Sequence, residues 1–248
     1  MRDTKKIGEQ ETVCEALARD SLSAQQTRKS HRVFELLLVL LVGLGQPILA
    51  SIYYLRGGTA PTEPLQQEFR IWSALVAETG SLVLLSYVLG RRDKGWQEIG
   101  WGFRKSDVAT GIGVFIVAYL GALVAVSGFQ YFYRATTGHF HSDAPLQLGL
   151  TVWPIAIALV CLNPFFEELI VRAFTMSEVL ALSGSRTLAV AASVLLQLSY
   201  HLYQGTLGLV ALVAIFAIFA LYYAKNRRIV PVILGHFFYD VLLVWKHH

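Results

Sequence analysis

Long apolar stretches separated by short polar segments make up most of the chain after residue 32. Most of these stretches are close to the roughly 20 residues that an α-helix needs to cross the hydrocarbon core of a bilayer. They cover residues 33–55, 71–90, 108–133, 148–182, 187–203, 207–224 and 229–245. The pattern predicts an all-α, polytopic transmembrane bundle of about seven spans. An eighth span fits if the fourth stretch, which is too long for one straight helix, is two.

Prolines lie inside two of the stretches. Pro164 interrupts the fourth, and Pro231 lies near the start of the seventh. Proline removes one backbone hydrogen bond, and its ring clashes with the preceding turn of a helix. We therefore expect either a kinked helix at Pro164 or a span followed by an interfacial helix, and a loosened backbone at Pro231.

Lysine and arginine are distributed unevenly among the polar segments. Sixteen lie in residues 1–32 and in the segments on the same predicted side, and four lie on the opposite side. Because basic residues accumulate in cytoplasmic loops, this predicts a cytoplasmic N-terminus and, with seven spans, an external C-terminus. Residues 1–32 lack an apolar segment near their start, so they are expected to form a cytoplasmic polar leader rather than a signal peptide. Residues 33–141 then form the N-terminal membrane spans.

The composition also indicates a membrane protein. Hydrophobic residues make up 54% of the chain and charged residues only 15%, against about 25% charged residues in soluble domains. The two cysteines lie in unrelated surroundings, Cys14 in the leader and Cys161 in an apolar stretch, so no disulfide framework is expected. The net charge of +4 comes from the loops, as membrane topology requires, and nucleic acid is not an expected partner.

Charged side chains interrupt the fourth stretch at Glu167, Glu168 and Arg172. Each charge at mid-bilayer costs roughly 2.5–3.5 kcal/mol, and ionisable groups in such positions usually have a function. Glu168 and Arg172 are four residues apart, so they share a helix face in the favourable order for an ion pair. Glu167 is turned about 100° away on an α-helix and projects elsewhere. The alternative is an ion pair at the membrane interface.

Two more polar pairs at the same spacing weaken that alternative. They are Gln197 with His201, and His236 with Asp240. The turn at Gly184 lies seventeen residues from both Glu167 and His201, so an antiparallel hairpin would bring these two side chains to equal depth. His236 reaches that depth only if the hairpin protrudes beyond the membrane.

These side chains suit hydrolysis. Glu167 beside a histidine in a dry site is a candidate general base, and His201 can orient or deprotonate a water molecule. His236 and Asp240 can stabilise an oxyanion or bind a metal, with Asp240 fixing the imidazole tautomer. The sequence contains no His-Glu-x-x-His motif, so a zinc ion would require Glu167, His201 and His236 to converge. One zinc ion and no metal are both compatible with the sequence.

The motifs Glu-Glu-x-x-x-Arg, a histidine near the end of a span, and His-x-x-x-Asp resemble those of the CPBP family of intramembrane proteases. That family includes the CAAX prenyl endopeptidases and the bacterial Abi or bacteriocin-processing relatives. The resemblance covers roughly Ser142 to Trp245, so residues 142–246 are expected to form a catalytic membrane core. Gln197 stands where the family motif has phenylalanine and is expected to pack rather than react. Asp240 stands where the family has asparagine or aspartate.

The resemblance implies an intramembrane endopeptidase that hydrolyses a peptide bond of a membrane-associated protein or peptide. The residues that would activate water and stabilise the tetrahedral intermediate are Glu167 with His201, and His236 with Asp240. Glu168 and Arg172 would support the site. A metalloprotease and a metal-free, glutamate-type mechanism both fit. The alternatives are a non-enzymatic immunity or scaffold protein of the same fold, and a haem- or ion-binding bundle with His201 and His236 as ligands.

Other polar residues are expected to have no part in the chemistry. Glu78, inside the second stretch, lines the cavity, lies where a loop enters the membrane, or pairs with a neighbouring helix. His139, His141 and Asp143 lie in a predicted external loop, where a solvated loop is favoured over a surface metal site.

Overall fold

The computed structural model has a helix at each of the seven apolar stretches. It describes residues 2–58, 63–92, 95–143 and 153–246, and these contain no β-strand. The helices are α1 (Arg2–Leu55), α2 (Pro64–Arg91), α3 (Ser106–Thr137), α4 (Trp153–Glu167), α5 (Thr175–Ser183), α6 (Arg186–Ser199), α7 (Gly205–Asn226) and α8 (Val230–Lys246). Short 3-10 turns form at Trp96–Ile99 and Leu202–Gln204, and a π-helical segment, Glu168–Phe174, joins α4 to α5. The predicted all-α fold class is confirmed.

The described residues form two compact units, Met1–Leu38 and Val39–His248. The first is the N-terminal part of α1, so the predicted leader is helical from Arg2 onward. In the described part of the chain, the helices long and apolar enough to cross a membrane are Gln25–Leu55, Pro64–Arg91, Ser106–Thr137 and Leu202–Asn226. Shorter apolar helices are Arg186–Ser199 and Val230–Trp245. The chain is therefore an integral membrane protein, and the sidedness of its termini stays a prediction.

Contacts between distant helices organise the second unit. α3 lies along both α7 and α8, α2 packs against α4, and α5 pairs with α6. Glycines allow α3 and α8 to approach closely: a Cβ atom added to Gly111 would lie 2.7 Å from the Cβ of Leu234. A Cβ atom added to Gly235 would lie 3.3 Å from the backbone oxygen of Gly111. This close approach of the two backbones fixes the position of His236, the next residue of α8.

The α5–α6 hairpin extends beyond the end of α7. Ser177 in α5 accepts a 2.9 Å hydrogen bond from Arg227, the residue that follows α7. Gly184, which ends α5 with a φ of +70°, lies seven residues further on, or about 10 Å at the rise of an α-helix. This protrusion is the condition under which His236 reaches the depth of Glu167.

The two intramembrane prolines behave differently. Pro164 lies inside α4, and the helical path continues from Trp153 to Ser183 with its irregularity in the π-helical segment. Such π-helical turns inside α-helices occur frequently at functional sites. Pro231 lies in the first turn of α8, where a backbone N–H has no helical partner in any case. The expectation that Pro231 loosens the backbone is therefore wrong.

The loop that follows α3 is built around Asp143. Its Oδ2 accepts a 2.6 Å hydrogen bond from the backbone N–H of Leu207 in the first turn of α7, and its Oδ1 lies 2.9 Å from Nε2 of His141. Gln130 of α3 holds the backbone of His141 through two hydrogen bonds of 2.9 Å. His141 and Asp143 are half-buried in this loop, because Asp143 caps α7 and His141 contacts the Asp143 carboxylate.

Replacing Asp143 with alanine should lower the free energy of unfolding by about 1 kcal/mol, the usual cost of removing a helix cap. Burial raises the pKa of Asp143, but the hydrogen bond from Leu207 and the neighbouring His141 outweigh it and hold the pKa below its usual value. Since the folded-state pKa lies below the unfolded one, the stabilisation is fully present above about pH 4 and is lost as the pH falls further. Thermal unfolding in detergent as a function of pH measures this.

The exposed His139 is a control in the same loop. Among the described residues, Nδ1 of His139 contacts only the carbonyl oxygen of Thr137. His139→Ala should leave the unfolding temperature unchanged. An Asp143→Ala protein that is as stable as the wild type at neutral pH would contradict the capping role.

Candidate active site

Glu168 and Arg172 form the buried ion pair that their spacing predicts. Both side chains are fully buried, and the guanidinium donates to both carboxylate oxygens, Nε to Oε2 at 2.5 Å and Nη2 to Oε1 at 3.2 Å. Nη1 also donates to the backbone oxygen of Phe216 in α7 at 3.2 Å. The pair lies in the π-helical segment. Its geometry is bidentate, which is typical of the strongest charge-assisted hydrogen bonds.

Gln197 of α6 connects this pair to Glu167. Its Oε1 accepts a 2.5 Å hydrogen bond from Nη2 of Arg172, and its Nε2 donates to Oε2 of Glu167 at 2.8 Å. Both assignments follow from chemistry, because a guanidinium can only donate and an ionised carboxylate can only accept. Sequence reasoning took Gln197 for a packing residue. The signal that could have revealed its role is a fully polar amide four residues before His201 in an otherwise apolar helix.

Replacing Gln197 with leucine should lower the turnover of a peptide substrate by about 10- to 100-fold. The change removes the hydrogen bond that holds the base Glu167. A hydrogen bond to a charged group is worth about 1.5–3 kcal/mol, and 1.36 kcal/mol in the barrier is a factor of ten in rate. Steady-state kinetics of the purified protein test this, with Gln97→Leu in the exposed turn as the control. Wild-type turnover in Gln197→Leu would show that the bridge to Glu167 is dispensable.

Glu168 also holds His236 of α8. Nδ1 of His236 lies 2.9 Å from Oε1 of Glu168, and because the carboxylate accepts, Nδ1 carries the hydrogen. Nε2 then faces Oε2 of Glu167 at 3.9 Å and Oδ1 of Asp240 at 3.6 Å. The tautomer of His236 is therefore set by Glu168, whereas the sequence analysis assigned that role to Asp240.

Asp240 lies close to an amide of α4. The side chain of Asn163, four residues before Glu167, faces the Asp240 carboxylate. α4 and α8 also pack against each other. Sequence reasoning missed Asn163, although an amide in an apolar stretch at helical spacing from Glu167 is a usable signal. The contact holds the carboxylates of Glu167 and Asp240 in one region.

His201 lies just beyond the end of α6. Its Nδ1 is 2.8 Å from the backbone oxygen of Gln197, and since a carbonyl can only accept, the hydrogen lies on Nδ1 and the lone pair on Nε2. The ring packs against Tyr200 and Phe216, with centroid distances of 4.6 and 5.4 Å. The buried hydroxyl of Tyr200 faces Glu167 without a hydrogen bond of normal geometry to any described residue.

The residue directly opposite Glu167 across the hairpin is Gln197 rather than His201. Glu167 lies seventeen residues before Gly184, and Gln197 lies thirteen residues after it. A π-helix has wider turns than an α-helix and advances less per residue, so the segment between Glu167 and α5 is shorter than the sequence analysis assumed, which accounts for part of the offset. His201 follows four residues later, close enough for the charge of Glu167 to act on it.

The residues suggested for a metal do not converge in this arrangement. Among the residues that the structure describes, no three His, Cys, Asp or Glu side chains are placed so that they could hold a metal ion. Glu167, His201 and His236 therefore do not fit a zinc ion as they stand.

Comparison with known protein families finds a match in the second half of the chain. Residues 149–242 match the family described as type II CAAX prenyl endopeptidase Rce1-like. The match contains every side chain of the three motifs and leaves α1, α2 and α3 outside. No curated protein and no solved structure matches the chain. Residues 149–242 therefore carry an Rce1-like domain, and this match supports the resemblance of the three motifs to those of the CPBP membrane proteases.

Proposed function

We propose that this protein is an intramembrane endopeptidase that cleaves a peptide bond in a membrane-associated protein or peptide, with Glu167 as the residue that activates water. The observation that carries the proposal is the buried hydrogen-bonded chain from Arg172 through Gln197 to Glu167. It holds one carboxylate that is not part of the ion pair, with Nε2 of His236 3.9 Å from Oε2 of Glu167 and His201 close enough for the charge of Glu167 to act on it.

Glu167 acts as the general base. It takes a proton from a water molecule, whose oxygen then attacks the carbonyl carbon of the scissile bond. His201 has its hydrogen on Nδ1, so its Nε2 can accept a hydrogen bond from the same water and orient it. Gln197 keeps the Glu167 carboxylate in place while the charge on it changes.

His236 stabilises the tetrahedral intermediate. When both ring nitrogens carry hydrogen, Nδ1 stays bound to Glu168 and Nε2 donates to the oxyanion. Glu168 balances the charge of the ring, and Asp240, 3.6 Å from Nε2, keeps that nitrogen oriented. The support for this assignment is that Glu168, which binds the other ring nitrogen of His236, is itself held by Arg172.

Replacing His201 with alanine should lower cleavage by at least about 100-fold, the lower end of what a positioned acid–base group contributes. The assay uses the purified protein in liposomes and a quenched fluorescent peptide. The family description names CAAX prenyl endopeptidases, so a peptide with a prenylated C-terminal cysteine is the first substrate, and an apolar peptide without lipid is the second. His139→Ala is the control.

Cleavage of neither peptide by the wild-type protein would contradict the proposal and favour a non-enzymatic membrane protein of the same fold. Metal analysis and a chelator accompany the assay and distinguish a metalloprotease from a glutamate-type mechanism. An absorption spectrum without a haem band removes the haem-binding alternative.

A further inference from the structure

Glu78 of α2 is a buried carboxyl group inside the second apolar stretch. Its side chain is 8% exposed, and its Oε2 is buried and makes no hydrogen bond with any described residue. The charges that act on it belong to Glu167 and Asp240. α2 packs against α4, yet it lies outside residues 149–242, so the family match gives Glu78 no role.

The packing of α2 places this side chain at the candidate active site. Ser81 lies three residues after Glu78 and shares its helix face. A Cβ atom added to Gly43 of α1 would lie 3.3 Å from Oγ of Ser81 and 3.2 Å from Cε2 of Phe166. Phe166 immediately precedes Glu167. The face of α2 that carries Glu78 is therefore directed at the turn of α4 that carries Glu167.

A carboxyl group in this position is energetically unfavourable unless another group interacts with it. Burying a carboxyl group without hydrogen bonds costs several kcal/mol. Two other carboxylates of the site, those of Glu168 and Asp240, contact a cationic or imidazole side chain of the protein. No described residue does this for Oε2 of Glu78, which leaves it available to a proton, to water of the site or to a group of the substrate.

Peptide hydrolysis can use such a group, although the protonated base could also return its proton to the leaving amine. Glu167 removes a proton from water at the start of the reaction, but the nitrogen of the scissile bond must gain a proton before it can leave, because an amide anion is a very poor leaving group. A second carboxyl group beside Glu167 that still carries its proton meets this need.

We propose that Glu78 is the general acid that protonates the leaving amine, a step that rests on the proposed function. As the tetrahedral intermediate collapses, the C–N bond breaks, its electron pair stays on nitrogen, and the nitrogen takes the proton of Glu78. Glu78 then regains a proton from Glu167, which obtained it from the attacking water. The acyl product keeps the hydroxyl of that water and the amine keeps its hydrogen, so no further reactant is required.

An amide and an activated ester of the same sequence separate this role from a structural one. A nitrophenolate leaves without protonation, whereas an amine does not. Glu78→Gln should lower kcat for the amide by about 100-fold and leave kcat for the nitrophenyl ester nearly unchanged. Glu78→Asp retains an acid and should recover part of the amide activity. Glu68→Gln, ten residues earlier on α2, is the control, and thermal unfolding checks that each variant is folded.

The outcomes are distinguishable. Equal losses on amide and ester, or no loss on either, would show that Glu78 is not the acid while the proposed function stands. An aspartate variant as inactive on the amide as the glutamine variant would also count against the proposal. A wild-type protein that hydrolyses neither substrate overturns the proposed function and this role together.

Discussion

Glu167→Gln should abolish peptide-bond hydrolysis, with a loss of at least about 1000-fold in kcat, while the protein folds and inserts as the wild type does. Glutamine has the shape of glutamate but cannot take a proton from water at neutral pH. The contact with the side chain of Gln197 changes from an amide–carboxylate to an amide–amide hydrogen bond, so the site keeps its architecture. Cleavage assays and thermal unfolding of the same preparation measure both halves of this prediction.

Glu98→Gln is the matched control, because Glu98 is exposed in the 3-10 turn and the substitution removes the same charge. If Glu167→Gln retains wild-type turnover, the glutamate mechanism is wrong. A wild-type phenotype of Glu167→Gln in cells would favour the non-enzymatic alternative instead.

Arg172→Met should have the largest effect on stability, a loss of about 3–5 kcal/mol, as expected when one partner of a buried ion pair is removed. The substitution leaves the carboxylate of Glu168 uncompensated and removes the donors from Gln197 and from the carbonyl of Phe216. We expect a much lower yield of folded protein and a lower unfolding temperature in detergent. Adding Glu168→Gln to Arg172→Met should recover part of the lost stability, because it removes the uncompensated charge of Glu168.

Arg186→Met tests whether any loss of an arginine has this effect, since Arg186 is exposed at the start of α6. It should be nearly neutral. If Arg172→Met unfolds at the wild-type temperature, the ion pair does not hold the site together.

The sequence predicts well those features that depend on residues close together in the chain. The apolar stretches indicate where the helices lie, and the spacing of Glu168 and Arg172 indicates their ion pair. Hydrogen bonds between distant helices are different. Gln197 and Asn163 each lie on a helix whose polar face can be read from the sequence, but which carboxylate they meet depends on how the helices pack.

Backbone irregularities were also missed, for a related reason. The π-helical segment differs from an α-helix by the residue to which each N–H bonds, and no residue type in Glu168–Phe174 demands that choice. The capping of α7 by Asp143 joins residues 64 positions apart, which local patterns do not record. The division of the chain at residues 32 and 141 stays a prediction.

The π-helical segment restricts where the sequence can gain or lose residues. It lies between Glu167 and α5, so it sets the rotation of Glu167 about the helix axis relative to the α5–α6 hairpin. Removing one residue from Glu168–Phe174 would turn everything before it by about 100° and carry Glu167 away from Gln197. Substitutions that preserve side-chain volume are therefore compatible with the segment, but a change in its length is not. Any insertion or deletion accepted during evolution must fall elsewhere, for instance at the hairpin turn around Gly184.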